Sequence, residues 1–165
     1  MTRNMVGFKI DAPSNAGSIL VAVHNANTPT AQEWQEWVAL CEQELRASGG
    51  DLSTSSNLVV TDGGAPDAEQ RTRITRVIVE AYTQPRVAVM TDSSIVRLAV
   101  RAFAMFNRDT RAFAPSQFAE AVDHVRWPRF AIPQLLNAIE EQANAAFGRS
   151  SLACLRAIRA AHPER

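Results

Sequence analysis

Two short segments of the sequence repeat one arrangement of residues that could do chemistry. Thr61-Asp62-Gly63-Gly64 and Thr91-Asp92-Ser93-Ser94 each follow an apolar run and precede a predicted helix, and His24 also ends an apolar run. In open α/β sheets, ligands bind outside the carboxyl ends of parallel strands. One histidine and two carboxylates can hold a divalent cation, and glycine amides or a helix N-terminus can bind phosphate. One hypothesis is therefore a small metal- or phosphate-dependent enzyme that uses His24, Asp62 and Asp92.

The same residues also have a structural interpretation. Asp, Ser and Thr are the favoured N-cap residues of helices, and glycine serves tight turns. Asp62, Asp92 and Ser93 fit helix caps, and His24 fits a hydrogen-bonded residue at the end of a strand. Carboxylates of Asp62 and Asp92 within about 5 Å of a common point would identify a cation site, whereas side chains folded onto helix amides would identify caps.

Other catalytic arrangements are absent from the sequence. Neither G-x-S-x-G nor H-E-x-x-H occurs, and Lys9 is the single lysine, in a predicted strand. A P-loop or a Schiff-base enzyme needs a lysine in a quite different position. Cys41 and Cys154 lie on or beside the apolar faces of helices, where a thiol is usually unreactive. We therefore assign no catalytic residues, no metal and no cofactor, and expect a protein that is not an enzyme.

Length and composition are those of an ordinary globular domain. The chain has 165 residues, 46% of them hydrophobic and 21% charged, with 17 basic and 17 acidic side chains. This balance argues against nucleic-acid binding. Two cysteines without C-x-x-C spacing favour a reducing compartment, and neither a signal peptide nor a membrane span is evident. We expect a cytoplasmic protein.

Hydrophobic periodicity indicates which elements carry the strand-end segments. Residues 5–10 and 18–23 are apolar runs on either side of a turn and predict a β-hairpin. Residues 31–46 predict a helix with a capping box formed by Thr30 and Glu33. A polar stretch over 48–57 predicts a loop. The elements predicted after it are strand 58–60, a helix starting at Pro66-Asp67 and ending before Pro85, strand 86–90, helix 95–106, strand 111–114 and a helix to 125.

Helix 95–106 is apolar over a broad surface. Its apolar residues include Ile95, Leu98, Ala99, Ala102, Phe103 and Phe106. This set is too broad for one stripe, so we expect the helix to pack against both the sheet and a neighbouring element.

The alternation of strands and helices predicts an α/β fold. It requires a mostly parallel sheet of four to five strands with right-handed crossovers and the antiparallel hairpin at one edge. Two further amphipathic helices follow Trp127-Pro128, separated by Gly148. We therefore divide the chain into an α/β domain, 1–127, and a C-terminal helical extension, 128–165, packed on it.

The order of elements and the Asp-containing strand ends resemble the STAS fold, in particular its SpoIIAA-like (STAS/SEC14-like) group, which is related to anti-sigma-factor antagonists. The resemblance covers residues 5 to 125. In members of this group that act as phospho-switches, a serine in an Asp-Ser-Ser-Gly-type loop after the third strand is phosphorylated and controls partner binding. The corresponding segment here, Thr61 to Gly64, has no serine. Asp92-Ser93-Ser94 is similar to that motif but follows the fourth strand and continues into Ile95.

The resemblance implies a bacterial, non-enzymatic regulatory module that docks on another protein through helix-start loops. The implied docking residues are Asp62, Gly63, Gly64, Asp67, Asp92, Ser93 and Ser94, with Ser93 and Ser94 as phosphorylation sites. The SEC14-like side of the group implies an alternative, a carrier of a small apolar ligand in an internal cavity.

Charge and the appended helices suggest further contacts. Residues 1–70 carry 3 basic and 9 acidic side chains, and residues 71–165 carry 14 and 8. The basic C-terminal residues Arg149, Arg156 and Arg159 would favour a partner with an acidic surface. The two C-terminal helices also predict self-association into a homo-oligomer.

Overall fold

The computed structural model describes residues 3–13, 17–149 and 151–163. Two 3-10 turns, Pro115–Gln117 and Arg129–Ala131, flank the fourth helix. The strands and helices, in chain order, are β1 (Met5–Asp11), β2 (Ser18–His24), α1 (Ala31–Ala47), β3 (Ser55–Thr61), α2 (Ala68–Glu80), β4 (Arg86–Met90), α3 (Ser94–Phe103), β5 (Thr110–Phe113), α4 (Phe118–His124), α5 (Ile132–Phe147) and α6 (Ala153–Ala161).

The five strands form one sheet in the order β1-β2-β3-β4-β5. β1 pairs with β2 antiparallel, with Met5 opposite His24, which confirms the predicted hairpin. The pairs β2-β3, β3-β4 and β4-β5 are parallel. The carboxyl ends of β2 to β5 therefore lie along one edge of the sheet, which we call the carboxyl rim. The predicted α/β class with a mostly parallel sheet is confirmed.

Helices cover both faces of the sheet because the buried strands are apolar on both sides. Along β2, Leu20 and Ala22 face a cluster that includes Trp34, Trp37 and Val77 of α1 and α2. The alternate residues Ile19, Val21 and Val23 face the larger core formed with α4, α5 and α6. In that core Phe118, Leu135, Leu136, Ile139 and Ile158 are fully buried.

Helix α1 shows how local sequence sets the ends of an element. The Glu33 N–H donates to Thr30 Oγ1 at 3.2 Å, and the Thr30 N–H donates to Glu33 Oε2 at 2.8 Å. This is the predicted capping box, which satisfies two backbone donors that the first turn leaves unpaired. Trp34 and Trp37 are then turned towards the sheet and buried.

The predicted loop 48–57 is wrong at its end, because Ser55 to Asn57 belong to β3. Polar composition suggested a loop, but both serine hydroxyls have partners inside the fold. Ser55 Oγ donates to Glu44 Oε1 at 2.8 Å, and Ser56 Oγ donates to the Val125 carbonyl at 2.8 Å. Hydrogen-bonded hydroxyls can be buried in a strand at little cost.

Helix 95–106 packs on the sheet as predicted, but the prediction is wrong at its C-terminal end and in the residues that make the contact. The helix ends at Phe103, and its sheet-facing residues are Val96 and Val100, in contact with Val87 and Val89 of β4. The apolar set expected to pack instead includes exposed side chains, among them Ile95 and Leu98. Because the sequence is apolar on both sides of the helix, hydrophobicity alone did not determine which side faces the sheet.

No helix in the part of the chain that the structure describes is long and apolar enough to cross a membrane.

Candidate functional site

Three strand-end loops meet at the carboxyl rim. The Asp62 N–H donates to the His24 carbonyl at 3.2 Å, and the Gly64 N–H donates to the Asn25 carbonyl at 3.1 Å. Gly63 lies beside the next loop, since a Cβ atom placed on it would be 3.9 Å from Ser93 Oγ. The topology thus brings together the segments after β2, β3 and β4.

The two Thr-Asp segments form the same local turn. The Gly63 N–H donates to Thr61 Oγ1 at 3.0 Å, and the Ser93 N–H donates to Thr91 Oγ1 at 3.1 Å. Both threonines are buried. A threonine hydroxyl that accepts from the N–H two residues later fixes the direction of the chain as it leaves the strand. The repeat is visible in the sequence, but the role of the two threonines becomes clear only from these hydrogen bonds.

The Asp62 carboxylate accepts two hydrogen bonds from a part of the chain that is distant in sequence. Its Oδ2 accepts from the Ala153 N–H at 2.8 Å, and its Oδ1 accepts from the Cys154 N–H at 2.7 Å. These are free donors of the first turn of α6, whose own N-cap residue, Leu152, makes no side-chain cap. Asp62 therefore caps α6, which follows it by 91 positions, and not the helix next to it in the sequence.

The two glycines of the β3 loop are required by geometry. Gly63 has a φ of 124°, a conformation that residues with a side chain rarely adopt. Gly64 is buried, and a Cβ atom there would lie 2.2 Å from the Asn27 carbonyl oxygen. Gly64 thus allows two loops to approach closely, and it presents no surface of its own.

Two more of the predicted docking residues cap their own helices. Asp67 Oδ1 accepts from the Gln70 N–H at 2.9 Å, and Gln70 Oε1 accepts from the Asp67 N–H at 3.0 Å, a capping box at the start of α2. Ser93 Oγ accepts from the Val96 N–H at 3.3 Å at the start of α3. Asp92 and Ser94, on either side of Ser93, are exposed.

His24 is a buried, neutral residue of the strand end. Its Nδ1 lies 3.1 Å from Thr61 Oγ1 and 3.4 Å from the Asn25 carbonyl. Burial lowers the pKa of His24 from 6.5 to about 4, and the nearby Asp62 carboxylate opposes this only in part. Within residues 3–13, 17–149 and 151–163, no group of three or more His, Cys, Asp or Glu side chains is arranged to hold a metal ion.

Cys154, beside the same rim, is a packed thiol. Its Sγ donates to the Met90 carbonyl at 3.4 Å, and the side chain is buried. Burial raises the pKa of Cys154 to about 12, and the carboxylates of Asp62 and Asp92 act in the same direction. Since the thiolate is the nucleophilic form, Cys154 is unsuited to covalent catalysis at neutral pH.

Helix α3 continues from the rim, and α3 and the turn after it carry four of the seven exposed large apolar side chains of the described residues. On α3 and the turn that follows it, Ile95 is 80% exposed, Leu98 68%, Met105 84% and Phe106 62%. We call the outward side of residues 95–106 the α3 surface. Ser93 fixes the first turn of α3, so Val96 and Val100 face the sheet and the α3 surface faces solvent.

The α3 surface is also basic. Residues 95–106 contain Arg97 and Arg101 and no acidic residue, and Arg108 follows two residues later. The predicted basic tail lies elsewhere, on the helices that cover the other face of the sheet. There Arg159 pairs with Glu140 at 2.7 Å, while Arg149 is exposed.

Two clefts are small for a ligand carrier. One, of about 120 Å³, is lined in part by Ser56, Arg126 and Trp127. The other, of about 230 Å³, lies between α5 and α6 and includes Glu140 and Arg156. Ligand sites usually have volumes of roughly 300–1,000 Å³.

Comparisons with known proteins add information on the fold. No family model matches the chain, and no curated protein matches it. Among solved structures, it is similar to the crystal structure of an uncharacterized protein of the DUF3478 family from Shewanella loihica PV-4, described as having a SpoIIAA-like fold. The identity is 13% and the TM-score 0.52, and the match covers 76% of this chain and 96% of the other. The predicted SpoIIAA-like fold is thereby confirmed.

Proposed function

We propose that the protein is a non-enzymatic regulatory module that docks on another protein through the loop Asp92 to Ser94 and the α3 surface. The observation that carries this proposal is the group of large apolar side chains on α3 and the turn after it that are exposed rather than packed on another element of the described chain. Exposed apolar patches with a polar margin are typical of interaction sites. The implied function of SpoIIAA-like proteins, partner binding through helix-start loops, supports the same conclusion.

The energetics favour burial of the α3 surface in a complex. Each large apolar side chain that passes from water into an interface contributes about 1.5–3 kcal/mol. Ile95, Leu98, Met105 and Phe106 together could therefore offset much of the entropic cost of association. None of the four contributes to the buried clusters of the described core.

The state of the polar rim residues supports binding over catalysis. Asp62, Asp67 and Ser93 each accept hydrogen bonds from helix N-termini, and Gly64 is buried against a neighbouring loop. These residues hold the rim in one conformation and would position the start of α3 for a partner. In this proposal Asp92 and Ser94 contact the partner directly.

Ser94 is the more accessible of the two serines predicted as phosphorylation sites. It is exposed at the first position of α3, whereas the Ser93 hydroxyl already caps the helix. A phosphate on Ser94 would be stabilised by the helix N-terminus but would add charge beside the apolar α3 surface. We propose that this modification weakens docking.

The proposal can be tested by photocrosslinking in the cells that produce the protein. A photoreactive amino acid at Leu98, which is exposed on α3, should give one discrete protein adduct identifiable by mass spectrometry. The same amino acid at Gln134, exposed on α5, should not give that adduct. The adduct protein should also co-purify in fixed stoichiometry with the wild type and be lost with Leu98→Glu. Equal adducts at both positions, or none at Leu98, would reject the proposal.

A further inference from the structure

We infer that the partner presents to the α3 surface an amphipathic helix whose polar side is acidic. This inference rests on the proposed function and specifies the chemistry of the partner. Three properties of the α3 surface lead to it: the sign of its charge, the order of large and small side chains along it, and its poor fit to a second copy of the chain.

The charge of the α3 surface selects an acidic partner. Arg97 and Arg101 are the charged residues of the α3 surface, Arg108 lies just beyond it, and the nearest acidic residues are Asp92 and Asp109 at its two ends. Arg101 and Arg108 are exposed. Carboxylates opposite these side chains would form charge-assisted hydrogen bonds and speed association. A neutral or basic partner would bury guanidinium groups without a counter-charge, which is costly.

The order of large and small side chains along the α3 surface would allow a helix of the partner to pack across it. The central alanines, which are exposed, form a low section between larger side chains. This allows a partner helix to approach to an interaxial distance of about 8–10 Å. From the N-terminal end the outward residues are Ile95, Leu98, Ala99, Ala102, Met105 and Phe106.

A second copy of the chain fits the α3 surface less well. A two-fold contact between two α3 helices would oppose Arg97 and Arg101 of both copies, with no acidic residue in the same segment. Stable dimers bury roughly 800 Å² per partner. A helix of ten residues such as α3 is about 15 Å long and about 10 Å wide. A contact of this size suits a transient regulatory complex.

The inference can be tested with three designed helical peptides and the full chain, using fluorescence anisotropy. The peptides, of about 20 residues, share a leucine face and carry Glu, Gln or Lys on the polar face. We expect the Glu peptide to bind about tenfold more tightly than the Gln peptide, since two or three surface ion pairs together supply such a factor. The Lys peptide should bind most weakly, and added salt should reduce the preference for Glu.

Matched variants locate the binding. Leu98→Glu should abolish binding of the Glu peptide, and Arg101→Gln should weaken it about threefold. Phe130, 75% exposed, and Arg126, also exposed, lie outside α3. Phe130→Glu and Arg126→Gln make comparable changes there and should leave the affinity unchanged.

Several outcomes would overturn the inference. These are equal affinities for the three peptides, no binding of the Glu peptide, or binding that Leu98→Glu does not affect. If the protein binds vesicles of phosphatidylcholine and phosphatidylglycerol but none of the peptides, and Leu98→Glu abolishes vesicle binding, the α3 surface binds lipid and not a partner helix. Leu98-dependent dimerisation in sedimentation velocity would assign it to a second copy. The photocrosslinking result decides the proposed function separately, so a partner without an acidic helix would overturn only the inference.

Discussion

At the scale of single residues, the polar side chains of the carboxyl rim mainly accept hydrogen bonds from backbone N–H groups. Asp62 caps α6 from another part of the chain, and Asp67 and Ser93 cap the helices that they precede. Residues of these types at the ends of strands are compatible with both helix capping and ligand binding. The Asp67 and Ser93 caps were predictable from helix-start rules, whereas the partner of Asp62 is 91 positions away and left no local signal.

The Asp62 cap should have a measurable effect on stability. We expect Asp62→Ala to lower the free energy of unfolding by about 1–2 kcal/mol, because two N–H donors of α6 lose a charged acceptor. Asp92→Ala removes an exposed carboxylate of the same rim and should cost less than about 0.5 kcal/mol. Urea unfolding measures both variants. Equal losses would show that Asp62 does not act as the cap of α6.

His24 should make stability depend on pH. Its pKa is lowered from 6.5 to about 4 by burial, so between these values the unfolded chain binds a proton that the folded chain does not. Stability should therefore be fully present above pH 6.5 and fall as the pH drops towards 4, by about 3 kcal/mol. Urea unfolding over this range should show a smaller pH dependence for His24→Gln. An unchanged slope would contradict the prediction.

His124 should also contribute to the pH dependence of stability. Burial also lowers the pKa of His124, so it contributes in the same direction. The double variant His24→Gln with His124→Gln should therefore be less pH-dependent than either single variant, because carboxylates titrate mainly at lower pH.

At the scale of elements, α3 determines where the molecule can interact. Val96 and Val100 attach it to β4, and its outward side remains apolar. The sequence predicted the helix and its N-terminal loop but not its orientation, because valine, isoleucine and leucine occur all around it. By contrast, α1 has an apolar stripe on one side only, and its packing was predictable.

Because of the orientation of α3, we expect substitutions of Val96 and Leu98 to have different effects on the free energy of unfolding. Val96→Ala should lower the free energy of unfolding by about 1–2 kcal/mol, because it removes two buried methyl groups next to β4. Leu98→Ala removes more apolar volume but from an exposed position, and should change stability by less than about 0.5 kcal/mol. Thermal or urea unfolding of the two variants gives the comparison. The reverse order would mean that α3 is rotated about its axis.

At the scale of the whole molecule, the two faces of the sheet have different surroundings. α1, α2 and α3 lie on one face, and α4, α5 and α6 enclose the larger core on the other. The basic residues of α6 and the α3 surface therefore lie on opposite faces. A partner surface that binds α3 would not at the same time reach Arg156 and Arg159, unless it wrapped around the domain.

The proposed division at residue 127 can be tested by truncation. Removing 128–165 would uncover β2 and β3 residues such as Val21 and Leu58, which are fully buried. The loss of several contacts worth about 1.5–3 kcal/mol each is comparable to the total stability of a typical domain. We expect residues 1–127 alone to lack a cooperative thermal transition by circular dichroism. A sharp transition would show that the α/β unit folds independently and that 128–165 is dispensable.

The link between Asp62 and α6 has a practical consequence for purified material. Proteolytic clipping near Gly148 would leave α6 attached to the rest of the molecule only through its buried side chains and its two amide hydrogen bonds to Asp62. Unfolding of a clipped sample would depend on protein concentration, because refolding would then require two fragments to associate. Intact mass should therefore be checked before unfolding data for this protein are interpreted.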